Sequence, residues 1–130
     1  MRTFAPTIIL LCLPLALVLG TGCKDEPPLS ELDRFTDWAT GLPTEAMLDT
    51  LEALSMAGGQ QAVYADFVLG NYYYSQAADS AAAGSWNEEP ALSYVDLAEQ
   101  YFASAVARDS TFVEGLVNLG SLWDDRSQQM

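Results

Sequence analysis

Few side chains in this 130-residue chain have the types and spacing that chemistry needs. Histidine is absent, which removes the commonest general base and metal ligand. The only lysine, Lys24, stands beside Cys23 in a short polar stretch rather than in an apolar setting that would lower its pKa. Glu88 and Glu89 form an adjacent carboxylate pair, but beside Pro90 they read as acids at a helix start, where they complement the helix dipole. No Ser-His or Cys-His arrangement, phosphate-binding glycine loop, H-E-x-x-H motif or calcium-loop spacing occurs. The expectation is a non-enzyme with no resident cofactor or metal. One residue remains with chemistry to do, Cys23.

Cys23 closes a leader that opens with Met1-Arg2-Thr3, runs apolar from Phe4 to Leu19 and ends in Gly20-Thr21-Gly22. That is the order of a secretory signal peptide, and Pro6 and Pro14 argue against a spanning helix. The Gly22-Cys23 junction resembles a bacterial lipobox, with Leu19 one place early. The resemblance implies cleavage after residue 22 and acylation of Cys23, which holds the protein to a membrane through its acyl chains. It also implies an envelope location, and Lys24 after the cysteine points to the outer membrane facing the periplasm. Residues 1–22 are thus the signal peptide, 23–29 a lipidated tether and 30–130 a helical domain. Pro27-Pro28 favours an extended tether of about 20 Å, at ~3.1 Å per residue.

With Arg2 removed, four basic residues face 18 acidic ones, a mature charge of −14. Such a chain is repelled by nucleic acid and by anionic headgroups, so no nucleic-acid partner is expected. With Cys12 in the leader and Cys23 acylated, the domain has no disulfide, and its stability has to come from packing.

The pattern after the tether is helical throughout and calls for an all-α fold of about five helices in antiparallel hairpins. Ser30 opens the first, and Gly41 and Pro43 stop it. Thr44 is placed to cap the second, which Gly58-Gly59 ends. The third is expected over 60–83 and the fourth over 88–108, with Pro90 in its first turn and 84–87 as the hairpin tip. Thr111 and Glu114 have the spacing of a capping box for the fifth.

Within this run, Leu116, Leu119-Gly120 and Trp123 resemble the first helix of a tetratricopeptide repeat, W-x2-L-G-x2-Y. Leu69-Gly70 and Tyr73 repeat the signature, with Asp66 at the Trp position. Ala98, Phe102 and Ala105 match the second-helix pattern. The likeness covers 63–126, with the last repeat incomplete. Gly70 and Ala98 are 28 positions apart, against about 12 in the family, so the hairpin is lengthened by roughly two turns per helix. Gly70 and Gly120, each costing about 1 kcal/mol inside a helix, are expected to admit close neighbours.

What the resemblance implies is a non-catalytic protein-interaction adaptor. Its peptide-binding groove would comprise Tyr64, Phe67, Asn71 and Tyr74 from one first helix and Val117, Asn118 and Ser121 from the next. Aromatic and amide groups flanked by acids suit a protein or peptide with apolar anchors and Lys or Arg beside them. The competing reading packs these aromatic residues on the first two helices. A second function is kept open, a bundle enclosing a small apolar ligand for a transporter in a cavity lined by Phe67, Phe102 and the tyrosines. Leu116, Leu119 and Trp123 form an apolar stripe on the last helix, which is expected to be covered by its own hairpin, to belong to an interrupted fragment whose next helix would cover it, or to be covered by a partner or a second copy through self-association of that helix.

Overall fold

The computed structural model describes residues 29–128. The expected signal peptide, residues 1–22, and residues 23–28 of the expected tether, Cys23 among them, lie outside the described residues. Glu31–Met130 forms one compact unit, and its described residues are all-helical: α1 Glu31–Thr40, α2 Thr44–Ala57, α3 Gln60–Ala81, α4 Ala91–Arg108 and α5 Val113–Gln128. None of these helices is long and apolar enough to cross a membrane.

α3 is the axis of the fold because its sequence is apolar all round rather than on one stripe. Along it Ala62, Val63, Ala65, Phe67, Val68, Leu69 and Ala77 are all buried. One side joins Ala39, Met47 and Leu51 of α1 and α2 in a first cluster. The other joins Val95, Ala98, Phe102 and Ala105 of α4 and Leu119 and Leu122 of α5 in a second.

The pairings fix the directions. Asp66 bonds to Arg108, Phe67 packs on Phe102, and Tyr74 meets Trp86, so α3 and α4 are antiparallel. Arg126 reaches Asp96 and Glu99, making α4 and α5 antiparallel as well. α1 and α3 run parallel, since Tyr64 lies against Glu31 and Tyr72 and Ser75 share a cleft with Thr36 and Thr40. α3 and α5 are also parallel, through Asn71 with Asn118 and Tyr74 with Asp125.

Several helix starts differ from the expectation. Thr44 is the first residue of α2, and Pro43 occupies the cap position without a side-chain bond; its carbonyl accepts from the Met47 amide instead. α4 begins at Ala91, with Pro90 at the cap rather than in the first turn. α5 begins at Val113, because the Thr111 hydroxyl donates to Asp109 Oδ1 at 2.6 Å instead of joining a box with Glu114. The Thr111 amide donates to the same oxygen, and these two bonds hold the Asp109 carboxyl below its ordinary pKa.

Gly70 has the neighbour its cost called for, whereas Gly120 does not. A Cβ at Gly70 would fall 2.5 Å from the Phe102 ring, and one at Gly120 would meet nothing within 4 Å. The tight approach in α5 is at Gly115, where a Cβ would fall 2.8 Å from Phe112.

Candidate functional site

α1, α3 and α5 lie parallel in sequence order, with α2 and α4 packed antiparallel between them along the chain. This arrangement brings polar side chains of the three parallel helices to one surface. At its centre Asn118 Nδ2 donates to Asn71 Oδ1 at 2.6 Å, tying α5 to α3. One turn further, the Tyr74 hydroxyl donates to the Asp125 carboxylate. On the other side of Asn71, a cleft of about 350 Å³ opens between α1, α2 and α3, lined by Thr36, Thr40, Met47, Asn71, Tyr72 and Ser75.

The seven residues expected in a groove divide into three groups. Asn71, Asn118, Val117 and Ser121 lie on α3 and α5, the first two half-buried and bonded together, the last two exposed. Tyr64 and Tyr74 are half-buried and already engaged. Tyr64 packs on Phe35 and donates to Glu31, while Tyr74 packs on Trp86 and Phe102. Phe67 is not in the groove. It is 8% exposed, with its ring edge-on to Phe112 at 5.2 Å and against Phe102 at 6.0 Å.

Tyr72, Tyr73 and Tyr74 leave α3 on different sides, and all three are half-buried. Tyr73 stacks on Tyr101 at 5.8 Å and on Tyr94 at 6.3 Å. Burial raises the hydroxyl pKa of Tyr64, Tyr73, Tyr74 and Tyr101, and neighbouring carboxylates add to it: Glu31 at Tyr64, Asp125 at Tyr74, Glu52 at the other two. They remain neutral donors throughout the physiological range.

Two features were not anticipated. Thr36 and Thr40 of α1 extend the polar surface, yet α1 carries no Leu-Gly signature that would mark it as a counterpart of α3. The second is Asp66, wholly buried where the repeat pattern has its Trp. It accepts from Ser55 Oγ at 2.5 Å, Ser104 Oγ at 2.8 Å and Arg108 Nε at 2.8 Å, while Arg108 Nη2 donates to the Ser55 carbonyl. Its visible signal is a lone acid between Val63 and Leu69. Every buried side-chain polar atom among the described residues has a partner, so this cluster joins α2, α3 and α4 as a completed network.

Among the described residues no group of three or more acidic, cysteine or histidine side chains is placed to hold a metal ion. The surface carries amides and hydroxyls, with Glu31 and Asp125 at its margins. No protein-family model matches the chain, and no curated protein or solved structure matches it either.

Proposed function

We propose that the protein is a lipid-anchored envelope adaptor of tetratricopeptide type, held to the outer membrane through Cys23 and binding a protein segment on the surface of α1, α3 and α5. The observation that carries the reading is the spacing of the parallel helices. Tyr64 meets Glu31, 33 positions earlier, which is close to the roughly 34-residue period of the repeat. Asn118 and Asp125 meet Asn71 and Tyr74 at 47 and 51 positions, the same period extended by the lengthened α3–α4 hairpin. The bound segment is one with an apolar anchor and adjacent Lys or Arg. Val117 and the Asn71–Asn118 pair face it, and Thr36, Thr40 and Ser121 bond its backbone.

Peptides displayed on phage and panned against the full chain test the surface. Enrichment of segments with an apolar anchor beside Lys or Arg, lost on Ser121→Arg and on Asn71→Arg, is the expected result. Enrichment indifferent to both substitutions overturns the groove. The anchor has its own measurement: palmitate is incorporated by the wild type and lost in Cys23→Ser, and continued labelling of that variant removes the lipoprotein reading.

A further inference from the structure

α5 turns Gly115, Leu119 and Leu122 inward, and a second apolar row stands exposed among the described residues. Val113 is 61% exposed, Leu116 46% and Trp123 53%, and Gly120 between them has open space around it. The expected stripe of Leu116, Leu119 and Trp123 is therefore two rows, one buried and one bare.

At about 100° per residue, Val113, Leu116, Gly120 and Trp123 follow one another along a single edge of the helix, spanning about 15 Å. Asn118 and Asp125, which bond to α3, leave the helix on the opposite flank. The edge is thus distinct from the groove, and it does not depend on the groove reading. A straight apolar ridge interrupted at its middle by a residue without a side chain is the shape that receives another helix, whose own ridge enters at the gap.

Charge selects the occupant. On α5 the edge is bordered by the exposed Asp124, about 20° from Val113 on the helix. One turn beyond Trp123, Arg126 meets Asp96 and Glu99 of α4 at 3.6 and 3.5 Å, two carboxylates sharing one arginine. Residues 29–128 hold three arginines against 16 acids, and Arg108 is already committed to Asp66. A second copy brings the same acidic borders to the seam and is repelled, as is an anionic lipid surface. We infer that the Val113–Leu116–Gly120–Trp123 edge of α5 docks an amphipathic helix of another protein, apolar on one face and bordered by Lys or Arg.

Three synthetic helical peptides test this by calorimetric titration into the full chain. They share one Leu/Ile face and differ in its borders, being Lys-flanked, Glu-flanked, or scrambled in order. The Lys-flanked peptide should bind at least about tenfold more tightly than the other two, and its affinity should fall as salt rises. Trp123→Ala and Leu116→Ala should each weaken it by about tenfold, while Thr40→Ala, on the exposed surface of α1 and bonded only within that helix, should leave it unchanged. Both edge side chains are substantially exposed, so these variants should keep the wild-type helicity. If one melts lower, the other carries the measurement. Equal affinity for the Lys- and Glu-flanked peptides, binding indifferent to both edge substitutions, or no binding of any peptide overturns the inference. So does a dimer in sedimentation that Trp123→Asp abolishes, because the edge then belongs to a second copy.

Discussion

Gly70 and Gly120 hold equivalent places in two Leu-Gly-x2-aromatic segments, yet their surroundings give a methyl group opposite effects. At Gly70 a Cβ collides with the buried Phe102 ring, which has no room to withdraw, so Gly70→Ala should destabilise by about 1–3 kcal/mol. At Gly120 the space is empty and the backbone helical, so Gly120→Ala should stabilise by up to about 1 kcal/mol. Chemical denaturation of the two variants checks both signs. A repeat signature fixes where a small residue falls but not whether its neighbour is present. Phe67 was misplaced for a related reason. A register counted from Leu69 assigns it to a groove, but α3 has helices on so many sides that a position facing outward in one pairing is buried in another. Asp66 shows the converse, since an acid in an apolar run is visible in the sequence while its partners, 11, 38 and 42 positions away, are not.

At the scale of helices the sequence was informative, because apolar period and Gly-Pro punctuation are local properties. The five helices and the stops at Gly41 and Gly58 follow from them. The starts of α2, α4 and α5 were less legible, since each depends on which of several nearby groups takes the first free amides. Thr111, for example, is bonded to Asp109 and does not cap. How α5 is held is a tertiary matter that no local pattern reveals, and Tyr74 is central to it. Its hydroxyl donates to Asp125 across the α3–α5 seam, so Tyr74→Phe should cost about 1 kcal/mol. Burial first, and then Asp125, raise the Tyr74 pKa above its ordinary value. Since the folded-state pKa lies above the unfolded one, the stabilisation is complete below about pH 10 and is lost as pH rises further through the folded value. Wild type should therefore lose stability in the alkaline range. Tyr74→Phe should be less stable at neutral pH but lose less on going from pH 9 to 11, in denaturation followed by circular dichroism. A parallel fall for both proteins would show that Tyr74 is not part of the seam.

Across the whole molecule the question is what makes two core clusters on either side of one helix behave as a unit. A stack in which each pair of helices touches mainly its neighbours tends toward independent segments, and here there is no disulfide among the described residues to couple them. α3 supplies buried side chains to both clusters. Asp66 adds a polar clamp across the same helix, taking hydrogen bonds from Ser55 of α2 and from Ser104 and Arg108 of α4. Arg108 also donates to the Ser55 carbonyl, so a single side chain of α4 reaches both α3 and α2. Removing it leaves a wholly buried carboxylate with only two hydroxyl partners, and a buried charge stripped of its counter-charge costs several kcal/mol. Arg108 itself is 34% exposed, so water can partly replace it, and the lower end of that range, about 3 kcal/mol, is expected for Arg108→Ala. Asp66→Asn, which keeps the shape and part of the hydrogen bonding, should cost less than Arg108→Ala. Wild type should unfold in one transition reported alike by far-ultraviolet dichroism and by tryptophan fluorescence, with Trp38 in the α1–α2 part and Trp86 beside Tyr74 reporting on opposite sides of α3. In Arg108→Ala the two probes should separate, with the α1–α2 side melting first. Coincident transitions in that variant would mean that the apolar burial of α3 alone couples the halves, and that Asp66 is a local fastening rather than the link between them.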